Sequence, residues 1–153
     1  MKLVYSIPVL LILIVSLVTI KNCRSSNDSV VFKKNIATTS DCVFCKIATH
    51  LEPAKVIAGN DDVIVFESIH PRYPSHWLII PKKHITDLKS AQPEDTLLLG
   101  KLLAAAGALG RQLESPGAFN IQINEGAQAG QTVFHLHLHF YSQSKLTTQS
   151  PKI

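Results

Sequence analysis

Residues 133–141 read Val133-Phe134-His135-Leu136-His137-Leu138-His139-Phe140-Tyr141, and this alternation sets how the rest of the chain is read. Imidazole and apolar side chains repeat with a period of two, which is the period of a β-strand. In a strand over Val133–Tyr141, His135, His137 and His139 point to one face, successive ones ~6.6 Å apart. Phe134, Leu136, Leu138 and Phe140 then point to the other face, toward a core. A single histidine on a strand face is most often structural, whereas three in alternation point to a site.

Working outward, Phe119–Asn124 (FNIQIN) also alternates, and a glycine-containing loop over Glu125–Gly130 joins it to the histidine strand. Before it lies a long helix. Pro93 sits near its start, Glu94 and Asp95 occupy its first turn, Leu98, Leu102 and Ala105 or Ala106 keep helical spacing, and Ser115-Pro116-Gly117 ends it. His76–Pro81 (HWLIIP) is an apolar run between prolines. Lys55–Ala58 and Val63–Phe66 flank Gly59-Asn60-Asp61-Asp62, a hairpin signal. Residues 42–50 form one short helix. The order is helix, three strands, helix, two strands. Short turns between strands argue for an α+β domain over 41–142 with an antiparallel sheet of about five strands.

The histidines admit two chemistries. Imidazole binds metals, and His135 and His137 with a third ligand would resemble a zinc hydrolase. It is also a nucleophile and a general acid or base near neutral pH. No acidic residue lies inside the run to complete a hydrolytic metal site. The preceding loop, Gly126-Ala127-Gln128-Ala129-Gly130-Gln131-Thr132, offers backbone N–H groups, an amide and a hydroxyl, which suit a phosphate better than a metal. Cys42-x-x-Cys45 on its own is ambiguous among a redox pair, a metal half-site and chance.

Charge argues against nucleic acid. The whole chain carries a formal +4, but residues 41–142 hold eight basic and ten acidic residues, so the excess belongs to the ends. Residues 3–20 (LVYSIPVLLILIVSLVTI) are uninterrupted by charge. We read 1–21 as a hydrophobic helix serving as a membrane anchor, the alternative being a signal segment, because no small-x-small cleavage pattern follows it. Lys21, Arg24, Lys33 and Lys34 follow it and only Lys2 precedes it. That places the domain in the cytoplasm, the alternative being a secreted or periplasmic product after cleavage. Residues 22–40 read as a flexible tether and 143–153 as a disordered tail.

Three blocks together resemble the histidine triad (HIT) family. They are Asp41-Cys42-Val43-Phe44-Cys45-Lys46-Ile47, then Pro74-Ser75-His76-Trp77-Leu78-Ile79-Ile80-Pro81-Lys82-Lys83-His84, then Asn124-Glu125-Gly126 with Gly130-Gln131-Thr132-Val133-Phe134-His135-Leu136-His137-Leu138-His139. The resemblance covers about residues 41–140. It implies a HIT-like sheet with one long and one or two short helices, a homodimer formed through the long helix and an edge strand, and hydrolysis at the α-phosphorus of a nucleotide, commonly a nucleoside phosphoramidate. It implies His137 as a nucleophile that forms a nucleotidyl-histidine, with its other ring nitrogen donating to a backbone carbonyl, that of His139. Thr132 and His139 would contact the phosphate, with His139 assisting the leaving group. Asn124 and Gln131 would bind ribose-phosphate oxygens or order the loop, and His76 would line the pocket. No cofactor is implied for catalysis. Cys42, Cys45, His84 and His135 would hold a structural zinc. One departure stands out: an Asp that bridges the ribose hydroxyls is common two residues after the Phe of the second hairpin strand, and here that position is Ser68, which can bond one oxygen and carries no charge. A catalytically slow nucleotide-binding protein is therefore the alternative from another class.

Overall fold

The computed structural model describes residues 41–114, 117–148 and 151–153. The expected anchor (1–21) and tether (22–40) lie outside the described residues. Among the described residues no helix is long and apolar enough to cross a membrane.

The expected element order is present. Helix α1 spans Val43–Ala48, strands β1 to β3 span Val56–Gly59, Val63–Glu67 and Ser75–Pro81, helix α2 spans Thr96–Gly110, and β4 and β5 span Asn120–Ile123 and Leu138–Ser142. They form one five-stranded sheet, ordered β1-β2-β3-β5-β4, with every neighbouring pair antiparallel. The hairpin between β1 and β2 closes where expected, and Asn60 Oδ1 accepts the N–H groups of Asp62 (3.0 Å) and Val63 (2.9 Å).

The central strand explains its own composition. β3 is buried at every position, as a near-continuous apolar run should be when both faces are covered. On one face lies α2, which presents Leu102, Ala105, Ala106 and Leu109 at i, i+3, i+4, i+7 to Val63, Val65, Trp77, Ile79, Leu136, Leu138 and Phe140. Trp77 stacks on Phe140 (ring centroids 5.0 Å) and Phe119 stacks on Phe140 from the other side (4.7 Å). On the opposite face α1 packs Phe44, Ile47 and Ala48 against Ile64, Phe66, Leu78 and Ile80. α1 ends in a Schellman-type turn: the N–H groups of His50 and Leu51 bond the carbonyls of Ile47 (3.0 Å) and Lys46 (2.8 Å), and His50 takes φ +59°.

Two expectations are corrected. The strand expected from Val133 begins only at Leu138. The intervening backbone makes other bonds: His135 N–H bonds to Val133 O (2.9 Å) and Leu136 N–H to Ile85 O (2.6 Å), so residues 133–137 bend and Phe134 is 43% exposed instead of joining the core. The segment expected as a disordered tail is fastened where it is described. Glu114 N–H bonds to Lys145 O (2.7 Å), Thr147 N–H to Gln112 O (2.9 Å), and Gln112 exchanges side-chain bonds with the backbone of Lys152 (2.8 and 3.0 Å). Leu146 and Ile153 pack on the α2 side of the core. Polar composition suggested disorder, but two apolar anchors and paired backbone groups hold these residues.

Candidate functional site

The pleat of β5 sorts its side chains: Leu138 and Phe140 go to the α2 core, while His139 and Tyr141 go to the α1 side. Across the sheet His139 faces Leu78, and Tyr141 faces His76. A cavity of about 680 Å³ opens on this side. Val43, Phe44, Ile47, Phe66 and Ile69 give it apolar lining. Ser68, His76, His137, His139, Tyr141, Asn124 and Thr132 give it polar lining.

His137 is buried, with its Nδ1 2.7 Å from the carbonyl oxygen of His135. A carbonyl only accepts, so Nδ1 carries the proton and Nε2 keeps its lone pair. The partner is the carbonyl of His135, not that of His139 as the resemblance implies, because the bend at 133–137 turns the His135 carbonyl under the ring. Phe44 meets the His137 ring edge-on at 5.3 Å. Burial lowers the His137 pKa from its ordinary value, opposed by the His135 hydrogen bond and by the charge of Glu125. The ring is therefore neutral near pH 7. Glu125 is itself fixed, accepting the N–H of Leu88 on both carboxylate oxygens (3.1 and 3.0 Å).

His139 Nδ1 lies 3.0 Å from His76 Nε2. His76 Nδ1 has both an acceptor beside it, the His70 carbonyl at 3.2 Å, and a donor, the Arg72 N–H at 3.3 Å. Either neutral tautomer of His76 is thus satisfied, and the His76–His139 bond can run in either direction. Burial, then His137, His76 and Arg72, hold His139 down at about 4. His76 is lowered for the same leading reason, burial, with the charge of Arg72 adding to it.

Of the remaining expected site residues, Ser68 is half-buried in the cavity and bonds through its N–H to the His76 carbonyl (2.9 Å). Asn124 accepts from Gln122 Nε2 (2.6 Å) and donates to the Gly130 carbonyl (3.4 Å). Gln131 stands apart from the cavity lining. Its Oε1 accepts from Gly126 N–H (2.8 Å) and its Nε2 donates to the carbonyls of Thr86 (2.8 Å) and Val133 (3.2 Å), so it orders the loop and has no amide group left for a ligand. Phe44, Arg72, Glu125 and Tyr141 bear on the site and were not singled out from sequence. Only Tyr141 had a signal there, as the next member of the period-two series.

Cys42, Cys45, His84 and His135 come together in a second cluster, with one donor atom from each all within 4.8 Å of one another. Cys42 Sγ and Cys45 Sγ lie 3.4 and 3.5 Å from His135 Nδ1, and Cys45 Sγ lies 3.2 Å from His84 Nδ1. Sulfur and nitrogen ligands on one tetrahedral zinc stand ~3.5 Å apart, given bonds of ~2.3 and ~2.0 Å, so the donor set fits that ion. His135 Nε2 donates to the Pro81 carbonyl (2.8 Å), which leaves Nδ1 as the donor to a metal. Burial holds His135 down at about 4. With no cation among them, burial and then Cys42 push the Cys45 thiol up to about 12. His137 is outside this set. Its Nδ1 is turned to a carbonyl while His135 Nδ1 is turned to the cysteines, so these two rings do not converge on one ion.

A family model described as the HIT domain matches residues 50–146. An uncharacterized HIT-like protein of Synechocystis sp. is 43% identical over 99 residues, 65% of this chain and 87% of that protein. Protein HitA of Neisseria gonorrhoeae is 38% identical over 99 residues, 65% of this chain and 92% of that protein. Among solved structures, a HIT family hydrolase from Legionella pneumophila aligns with TM-score 0.64 and 36% identity, covering 69% of this chain and 96% of that one. A Zn-bound histidine triad family protein from Mycobacterium smegmatis aligns with TM-score 0.60 and 31% identity, covering 75% of this chain and 84% of that one.

Proposed function

This chain belongs to the HIT family, and from that premise we propose that it hydrolyses a bond at the α-phosphorus of a nucleotide, with a nucleoside phosphoramidate as the favoured substrate. The observation that carries this reading is the state of His137: neutral, pinned by one nitrogen at 2.7 Å, and offering the other to the cavity. In the first step His137 Nε2 forms a bond to phosphorus as the phosphorus–nitrogen bond to the leaving amine breaks. The departing nitrogen takes up a proton that comes from solvent by way of His139, whose neutral ring accepts it on one nitrogen as it releases the proton of the other. Water then attacks the same phosphorus, gives up a proton to solvent by the same route, and breaks the bond to His137, releasing the nucleoside monophosphate. Thr132 and the loop before it would hold the phosphate oxygens, and the apolar lining from Phe44, Ile47 and Phe66 suits a base.

The test uses the full chain with adenosine and guanosine 5′-phosphoramidates. Wild type should release the monophosphate, and His137→Ala should lose about 10³-fold or more in kcat. Mass spectrometry of a quenched reaction should place a nucleotidyl adduct on His137. Equal turnover by the variant would sink the reading. The half-buried hydroxyl of Ser68 favours a second reading, a nucleotide-binding protein of slow turnover; tight binding of the monophosphate without turnover would support it.

Cys42, Cys45, His84 and His135 would hold zinc in this reading. These residues would place it between α1, the segment after β3 and the start of the histidine run, where it would supply structure. Leu97 and Leu103 on α2 are 71% and 58% exposed, which supports a homodimer through that helix, with a mass in solution of twice 16.8 kDa. The domain would be held at a membrane by the N-terminal segment on the cytoplasmic side, where adjacent free thiols stay reduced.

A further inference from the structure

We propose that the end of the cavity bounded by Ser68, His76 and Arg72 is a subsite for a second anionic group of the substrate, a phosphate or carboxylate other than the phosphate at His137, with Arg72 as the specificity-determining residue. The inference rests on the nucleotide-hydrolase reading and deepens it.

The segment that carries Arg72 is fixed against the catalytic side of the sheet. Ser68 Oγ accepts the N–H of His70 (3.2 Å), the His70 carbonyl meets His76 Nδ1 (3.2 Å), and the Arg72 N–H lies 3.3 Å from the same nitrogen. The backbone of Arg72 is thereby seated on His76, which in turn touches His139. Its side chain is exposed and lines the cavity. The ion pairs among the described residues are Lys55–Glu67, Lys83–Asp95 and Lys101–Asp62, so the Arg72 guanidinium has no carboxylate partner there. Its charge is nonetheless felt at both His76 and His139.

The other charges of the cavity do not neutralise it. Glu67 is bridged to Lys55 at 2.7 Å. Glu52, at the turn that ends α1, is in none of the ion pairs among the described residues, with Arg72 or otherwise. Ser68 contributes a hydroxyl and no charge, and His76 and Tyr141 add further polar groups. A permanent cation with a planar fork of donors, lining the same cavity as two neutral imidazoles and a hydroxyl, is the donor set for a phosphate or carboxylate. A substrate with an uncharged sugar and a simple amine leaving group leaves that fork unused.

The test compares four adenosine 5′-phosphoramidates on the full chain. One pair differs in the leaving amine, a simple alkylamine against an amino acid carrying a carboxylate. The other pair differs in the sugar, a free ribose against a ribose 3′-phosphate. The expected result is a kcat/KM preference of roughly 10- to 100-fold for one charged member over its neutral partner, the size of a hydrogen bond to a charged group. The favoured member reveals whether the anion belongs to the leaving group or to the sugar. Arg72→Gln should bring that ratio toward one, and Arg72→Lys, which keeps the charge and loses the fork, should fall between. No preference in either pair, or a preference that survives Arg72→Gln in a variant with unchanged unfolding temperature, overturns the proposal. If no substrate turns over, the hydrolase reading fails by itself, and calorimetric titration with adenosine 5′-monophosphate, adenosine 5′-diphosphate and adenosine 3′,5′-bisphosphate still reads the subsite. Tighter binding of either doubly phosphorylated ligand, lost in Arg72→Gln, supports it, and equal binding of all three overturns it.

Discussion

At the scale of single residues, the site is governed by which ring nitrogens carry protons, and pH exposes this. His139 titrates at about 4 in the fold and near 6.5 in an unfolded chain. Between those values the unfolded chain binds more protons, so stability is complete above about 6.5, falls as pH falls, and levels off below about 4. The unfolding temperature should therefore drop on acidification from pH 7 to pH 4, and His139→Gln should make the slope shallower. A slope left unchanged by His139→Gln would show that His139 titrates normally. The four cluster residues and His137 were legible through the family resemblance, whereas Cys42-x-x-Cys45 and the period-two histidines alone leave redox, metal and nucleophile readings open. The His135 carbonyl that holds His137 was not, since a backbone acceptor has no residue signature. Arg72 carries no signature of its own in the sequence, where a charge between Pro71 and Pro74 has the look of a solvated turn, and only the fold sets its backbone against His76.

At the scale of elements, helix α2 contains a controlled comparison. A Cβ on Gly110 would stand 2.2 Å from the Phe119 ring, which is stacked on Phe140, whereas a Cβ on Gly100 would meet nothing within 4 Å. Gly110→Ala should destabilise by ~1–3 kcal/mol through overpacking, and Gly100→Ala should stabilise by ~0.5–1 kcal/mol through helix propensity. Denaturant midpoints of the two variants check both signs. The elements themselves were legible because their periods are strong: the two-residue repeat of β5, the 3.6-residue stripe of α2, the hairpin turn at Asn60. The start of β5 was misjudged for a physical reason. Alternation says which faces side chains take, but a strand also needs a neighbour to pair with, and Leu136 donates its N–H to Ile85 in a loop. The fastened end after Ser142 escaped notice because Gln112, which does the fastening, lies far away in sequence.

At the scale of the whole molecule, the sheet separates two tasks. The α2 face is a dry core and the α1 face carries the chemistry, with the cysteine–histidine cluster at its margin. If that cluster holds zinc, purified protein should contain one zinc per chain, and a strong chelator should lower stability by ~2 kcal/mol or more, about 10 °C in unfolding temperature for a domain of this size. Cys45→Ser should reproduce the loss without chelator. Metal-free protein that unfolds at the same temperature with and without added zinc would remove the ion from the account.

The same division decides what light can report. Trp77 is the chain's one tryptophan, and it is sealed between strands on the α2 side, ring to ring with Phe140. Its emission should be blue-shifted in the native protein, move to the red on denaturation, and stay nearly constant when a nucleotide enters the opposite face. Intrinsic fluorescence would then serve as a gauge of unfolding that is blind to the ligand, and a titration that looks silent by this method would say nothing against binding.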